Sequence, residues 1–163
     1  MTAPTSPDAE PSSVWRRFLR WFHPTSADSI TIDRPSDVVW QVYTDVARWP
    51  EWTASVSSAE VDPPGPLAVG SKASIKQPRL PRVEWTVTTL EPGRSWVWEN
   101  KAPGAKTVAA HVLTPLGDGR THVDLSIDQR GVIGRPVGWL VRRLTRRYLR
   151  FEAEGLRRQS ESM

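Results

Sequence analysis

The sequence contains no cysteine among its 163 residues. This absence excludes disulfide bonds, a thiol nucleophile and any zinc or iron–sulfur site that needs thiolate ligands. Histidine is also scarce, since only His23, His111 and His122 are present, and their spacing is not that of a metal site. The glycine patterns of nucleotide-binding loops and the elbow sequence of serine hydrolases are lacking as well. No metal and no cofactor is therefore expected.

Long apolar runs are absent too. No stretch approaches the roughly 18–20 consecutive apolar residues that a membrane-spanning helix requires. Residues 1–13 show no basic segment followed by an apolar one, so we expect no secretory signal peptide. The protein is expected in the cytoplasm, with the membrane surface as an alternative location.

Positive charge is concentrated in one segment. The chain carries a net charge of +4, but residues 135–158 alone hold eight arginines against two glutamates. This arginine face has three interpretations: a solvated helix surface, a site for an anionic membrane, or a nucleic-acid site. Nucleic acid is not expected, because the strands that the rest of the sequence predicts would not give a sheet with a basic and aromatic outer surface.

Residues 1–27 are predicted to be a disordered tail with a short amphipathic helix at about residues 14–23. Trp15, Phe18, Leu19 and Phe22 share one helical face, and arginines lie on the other. Because helices shorter than about 12–15 residues rarely hold alone, this one should either dock on the domain or bind an anionic membrane surface.

The rest of the chain, 28–163, reads as one domain of alternating strands and helices. A strand at "SITID" precedes two short helices, the first opened by Pro35 and the second at "ARWPEW". A period of two then predicts six strands separated by Gly- and Pro-rich turns, near 55–61, 70–77, 82–90, 95–101, 106–114 and 121–129. A period of 3.6 returns for one long helix at about 135–160. The order predicts an α+β fold with a curved antiparallel sheet of about seven strands.

Four segments carry a family resemblance: "ITIDRPSDVVWQVYTDVARWPEW", "EWTVTTLEPGRSWVWE", "HVLTPLGDGRTHVDLSIDQRG" and "YLRFEAEGLRR". Together they resemble the START/Bet v 1-like (SRPBCC) superfamily over about residues 28–160, in its bacterial polyketide cyclase/dehydrase and lipid-transport type. The resemblance implies a helix-grip fold, in which the sheet wraps the C-terminal helix and the two short helices lie between the first two strands. Since this fold serves carriers, sensors and enzymes alike, the resemblance leaves the function open.

The turn "EPGR" predicts which side chains share the inner face. With Pro92 and Gly93 at the hairpin centre, Thr89 pairs with Trp96, and Val87 pairs with Trp98. The side chains of Trp85, Val87, Trp96 and Trp98 then lie on one wall. The three indole rings among them form either the aromatic wall of a ligand cavity or a solid aromatic core.

The turn "PLGDGR" permits two registers. In one, Leu113 pairs with Val123 and His111 with Leu125, so His111 faces inward. In the other, Val112 pairs with Leu125 and His111 faces solvent, since a slip of one residue reverses the face. We favour the first register because Leu113 belongs inside.

Residues from the sheet and the long helix make up the predicted ligand site. The helix is expected to present Leu140, Leu144, Tyr148 and Phe151 to the interior. The complete predicted ligand-binding set is Trp85, Val87, Trp96, Trp98, His111, Leu113, Val123, Leu125, Leu140, Leu144 and Tyr148. His111 is the one weak candidate for catalysis, and it could equally anchor a ligand oxygen or be structural.

The sequence thus favours a non-enzymatic protein that binds or carries a small hydrophobic molecule such as a lipid, polyketide or aromatic metabolite. Two alternatives remain open. One is an aromatase/cyclase- or dehydratase-like enzyme that acts on a polyketide-type substrate without metal or cofactor. The other is a peripheral membrane protein that binds lipid.

Overall fold

The computed structural model describes residues 24–163, so the helix predicted at residues 14–23 lies outside the described residues. The strands are β1 (Ser26–Ile32), β2 (Ser58–Asp62), β3 (Lys72–Lys76), β4 (Arg82–Glu91), β5 (Ser95–Ala102), β6 (Ala105–Pro115) and β7 (Thr121–Arg130). The helices are α1 (Ser36–Thr44), α2 (Trp49–Trp52), which follows a 3-10 turn (Val46–Arg48), and α3 (Gly134–Glu161). Among the described residues, no helix combines the length and apolarity needed to cross a bilayer.

The seven strands form one antiparallel sheet in the order β1-β7-β6-β5-β4-β3-β2. Strands β2 to β7 form a meander, and β1 closes the order by pairing with β7. The sheet curves around α3, while α1 and α2 occupy the connection between β1 and β2. The predicted helix-grip fold is confirmed.

The β4–β5 hairpin pairs Val87 with Trp98 as predicted, but Thr89 pairs with Val97 rather than with Trp96. The turn encloses three residues between Glu91 and Ser95, and the register shifts between Val87 and Thr89. This bulge absorbs the extra turn residue, so the pairing beyond it matches the prediction.

The β6–β7 hairpin adopts the favoured register. Leu113 pairs with Val123, and His111 pairs with Leu125. His111 is therefore directed inward, and its side chain is buried.

Aromatic rings fill the centre of the interior. The ring of Trp96 stacks on His111 with centroids 4.1 Å apart and meets the edge of Tyr43 at 4.6 Å. Trp49, at the start of α2, lies 5.4 Å from Trp98, and its indole N–H donates to the Tyr43 carbonyl at 2.9 Å. These rings form a packed core rather than the wall of an open cavity.

The N-terminal half of α3 faces the sheet through glycines. A Cβ at Gly138 would lie 2.2 Å from the side-chain oxygen of Gln129, and one at Gly134 would lie 3.4 Å from the Ala105 side chain. Leu140 lies two positions after Gly138 and is therefore on the far side of the helix. The prediction that Leu140 faces the interior is wrong, since its side chain is 76% exposed.

Candidate functional site

A cavity of about 240 Å³ lies between the sheet and the part of α3 that runs from Val137 to Glu152. Its helix wall comes from Val137, Val141, Thr145, Tyr148, Leu149 and Glu152. Its other wall comes from the strands and the β3–β4 connection: Gln77, Leu80, Pro81, Val83, Trp85, Asn100, Thr107, Ile127 and Gln129. Because α3 approaches the sheet through glycines at one end and packs tightly beyond Glu152, the space between these regions is left open.

A buried carboxyl lies on the cavity wall. The Tyr43 hydroxyl of α1 donates to Glu152 Oε1 at 2.5 Å. The Nε2 atom of His111, on β6, lies 3.7 Å from the same oxygen. We call these three residues the Glu152 cluster. Among the described residues, no hydrogen bond holds the other carboxyl oxygen, Oε2, and Glu152 lines the cavity.

Burial dominates the protonation of the Glu152 cluster. Removal from water raises the pKa of Glu152 to about 7, although the hydrogen bond from Tyr43 opposes this shift. Burial lowers the pKa of His111 to about 3, and it raises the pKa of Tyr43 well above its ordinary value. Near neutral pH, His111 and Tyr43 are therefore uncharged, while Glu152 is present in both its protonated and its ionised form. A carboxyl in that state can serve as a general acid or base.

His111 lies beside Glu152 without a hydrogen bond to it, and it does not reach the cavity. Its ring is held between Trp96, stacked at 4.1 Å, and the edge of Tyr43 at 5.3 Å. It is not among the residues that line the cavity. The contact between His111 and a ligand therefore stays a prediction.

The structure separates the predicted site residues into three groups. Trp85 and Tyr148 line the cavity. Seven others are buried in the core: Val87, Trp96, Trp98, His111, Leu113, Val123 and Leu125. Leu140 points to solvent, and Leu144 is half-buried outside the cavity lining. Trp85 stacks on Trp98 at 5.4 Å and so forms the boundary between core and cavity.

Sequence reasoning missed Glu152 and Tyr43. A signal for Glu152 was present, because it follows Tyr148 by four residues and therefore lies on the apolar face of the long helix. An acidic residue on such a face needs a buried partner or an altered pKa. Tyr43 gave no comparable signal, since its hydroxyl reaches Glu152 only through the tertiary fold.

A larger depression of about 530 Å³ lies between α1 and the β2–β3 connection. Its ionisable lining residue, Asp45, is exposed, in contrast to the buried Glu152. Among the described residues, no group of three or more acidic or histidine side chains could hold a metal ion. We therefore assign the candidate site to the smaller cavity beside Glu152.

Solved structures share the fold at low sequence identity. The aromatase/cyclase Zhui from Streptomyces sp. R1128 is 16% identical, with a TM-score of 0.66 over 83% of this chain and 92% of that one. Norcoclaurine synthase from Thalictrum flavum is 12% identical, with a TM-score of 0.63 over 82% and 84%. The di-domain aromatase/cyclase BexL from the BE-7585A biosynthetic pathway is 18% identical, with a TM-score of 0.63, and this chain spans 45% of its length.

Comparison of the sequence with family profiles identifies the family of the chain. No curated protein matches the chain. The profile of one family, described as polyketide cyclase/dehydrase and lipid transport, matches residues 23–161. Because this match covers the sheet and all three helices, the chain belongs to the polyketide cyclase/dehydrase and lipid-transport family of the START/Bet v 1-like superfamily.

Proposed function

We propose that the protein binds a small hydrophobic molecule that carries at least one hydrogen-bonding oxygen. The observation that carries this proposal is an apolar cavity with a single buried carboxyl, that of Glu152, on its wall. Ligand pockets in proteins are commonly apolar with a few placed polar groups, and those groups fix the ligand's orientation.

The volume of the cavity limits the ligand. A space of about 240 Å³ is smaller than the roughly 300–1,000 Å³ of pockets for drug-sized molecules. One or two fused rings, or a short acyl chain, match that volume better than an extended polycycle. Leu80, Val83 and Val141 would contact the apolar body of such a ligand.

Glu152 would hold the polar end. When protonated, the carboxyl donates a hydrogen bond to a carbonyl or hydroxyl oxygen, and when ionised it accepts one from a hydroxyl. Tyr43 fixes the carboxyl through Oε1, so Oε2 is presented in a defined direction. This arrangement favours ligands with an oxygen at one edge over plain hydrocarbons.

Filling the cavity should abolish most of this binding. We expect Val141→Trp to weaken binding of both 2-naphthol and naphthalene about tenfold or more, because the larger side chain occupies the ligand's space. Val69→Trp, at an exposed position, is the matched control and should leave both affinities unchanged. Quenching of tryptophan fluorescence measures the binding. Equal saturable quenching in the two variants would place the ligand elsewhere.

The polar anchor is tested in the same assay with a double variant, Glu152→Leu with Tyr43→Phe. Removing both groups avoids a stranded buried hydroxyl. Binding of naphthalene should be unchanged, while that of 2-naphthol should weaken about tenfold, since a hydrogen bond to an ionisable group is lost. An equal loss of affinity for both probes would mean that Glu152 and Tyr43 do not anchor the oxygen of the ligand.

A second function, acid–base catalysis of the cyclase/dehydratase type, is favoured by one observation: burial brings the pKa of Glu152 close to 7 at the cavity wall. Its ionised carboxylate could take a proton from the carbon beside a ligand carbonyl, which leaves an enolate, and return a proton to that carbon. Wild-type protein should then speed deuterium uptake by 2-tetralone in D2O, with a rate that rises through pH 7. Glu152→Gln should return the rate to that of buffer. A wild-type rate equal to buffer would leave binding as the function.

A further inference from the structure

An exposed apolar patch lies where β7 joins α3. Four large apolar side chains there are more than half exposed: Val132 is 86% exposed, Ile133 52%, Trp139 76% and Leu140 76%. Single exposed apolar residues are ordinary, but adjoining ones that include a tryptophan indicate an interaction site. We refer to these four residues as the Trp139 patch.

Arginines surround Trp139 on the same helical face. Arg135 precedes it by four residues, and Arg142 and Arg143 follow it by three and four, so all three are its neighbours on the helix surface. All three side chains are exposed, and none forms an ion pair within the part of the chain that the structure describes. The patch is therefore apolar at its centre and positive at its rim.

The charges of α3 are divided unevenly along its length. In the C-terminal half, Arg150 pairs with Glu154 at 2.8 Å and lies 3.7 Å from Asp28. The N-terminal half holds five arginines and no acidic residue, whereas the C-terminal half holds three arginines and three glutamates, so the net positive charge is concentrated around Trp139. The helix dipole favours cations only in the last turn of a helix, so it does not account for this concentration, whereas an anionic partner would.

We propose that the Trp139 patch docks on the surface of an anionic lipid bilayer. Tryptophan and leucine would enter the interface, and the surrounding arginines would contact the lipid headgroups, as in helices that lie in a membrane surface. Val137 and Val141 belong to the same turns of α3 and line the cavity, so docking would bring the cavity wall close to the lipid. The proposal does not depend on the ligand proposed for that cavity.

Co-sedimentation of the full chain with vesicles tests this docking. Vesicles of equal parts phosphatidylcholine and phosphatidylglycerol should bind the protein, and pure phosphatidylcholine should bind it far less. Neutralising two arginines with R142Q/R143Q should weaken binding about 25-fold, since each arginine near an anionic surface contributes about fivefold. The matched control is R157Q/R158Q, with the same change of charge at the exposed far end of α3, and it should bind nearly as wild type.

The apolar centre is tested with W139S/L140S, which should also lower vesicle binding at least about tenfold while the far-ultraviolet spectrum and melting temperature stay unchanged. Three results would overturn the proposal. One is a full chain that ignores the anionic vesicles at low salt. Another is equal binding by wild type and both patch variants. The third is light scattering that shows a dimer which W139S/L140S dissociates, because the patch would then be a contact between copies of the chain.

Discussion

Trp96→Ala is expected to lower the free energy of unfolding by about 3–5 kcal/mol, the range typical of truncating a large buried aromatic side chain. Trp96 is fully buried. The centroid of its ring lies 4.6 Å from that of Tyr43, 4.1 Å from that of His111 and 5.7 Å from that of Trp40. Removing it leaves those rings without a partner at the centre of the core. Urea denaturation followed by circular dichroism measures the change.

Trp139→Ala is the matched control, because the same substitution at a 76% exposed position should change stability by no more than about 0.5 kcal/mol. Since small domains are stable by about 5–15 kcal/mol, the Trp96 variant loses much of its margin. Trp96→Phe should retain part of the stability and allows comparison if Trp96→Ala fails to fold. Equal losses at the two positions would mean that Trp96 is not a central core residue.

Much of the fold follows from local patterns in the sequence. Alternation identified the strands, and turns such as "EPGR" and "PLGDGR" located their ends within a few residues. The β6–β7 register followed from one physical requirement, that Leu113 be buried, and it correctly placed His111 inside. These features depend on neighbours in the chain or on a single hairpin, so a sequence carries enough information to predict them.

Other features depend on contacts that no local pattern reveals. The bulge beside Val87 compensates for a three-residue turn, and turn chemistry alone predicted two residues. Apolarity favoured Leu140 as an inward residue, whereas the close approach of Gly138 to Gln129 turns it outward. A glycine contributes nothing to an apolar stripe, so its role in orienting the helix is visible only in three dimensions.

The candidate site was predicted least well, because its groups come from distant parts of the chain. Tyr43 and Glu152 are separated by 109 positions in sequence. His111, on β6, lies 3.7 Å from Glu152 of α3, a proximity that no hairpin register reveals. Of the three tryptophans predicted to form either a cavity wall or a solid core, Trp96 and Trp98 fill the core, and Trp85 lines the cavity.

As the pH rises from 4.5 to 7, the free energy of unfolding of wild type should fall by about 3 kcal/mol relative to that of Glu152→Gln. Burial raises the pKa of Glu152 to about 7 in the folded protein, against 4.5 for an ordinary glutamate. Between these two values the folded chain retains a proton that the unfolded chain has released. Stability from this group is therefore complete below pH 4.5 and falls as the pH rises towards 7.

His111 has the opposite effect. Burial lowers its pKa from 6.5 to about 3, so the unfolded chain binds the extra proton in that range and stability rises with pH. The two contributions oppose each other where their ranges overlap, which flattens the wild-type profile there. Subtracting the Glu152→Gln profile removes the histidine contribution and isolates that of the carboxyl.

Urea titrations across this pH range, for wild type, Glu152→Gln and the matched control Glu154→Gln, measure the difference. Glu154 lies two positions away on the same helix and pairs with Arg150 at the surface, so its variant should follow the wild-type profile. The stability of wild type relative to Glu152→Gln should decline steadily up to about pH 7. A constant difference would mean that the Glu152 carboxyl titrates alike in the folded and unfolded chains. In that case it would be ionised throughout near neutral pH, and Glu152 could not supply a proton to a ligand in the cavity.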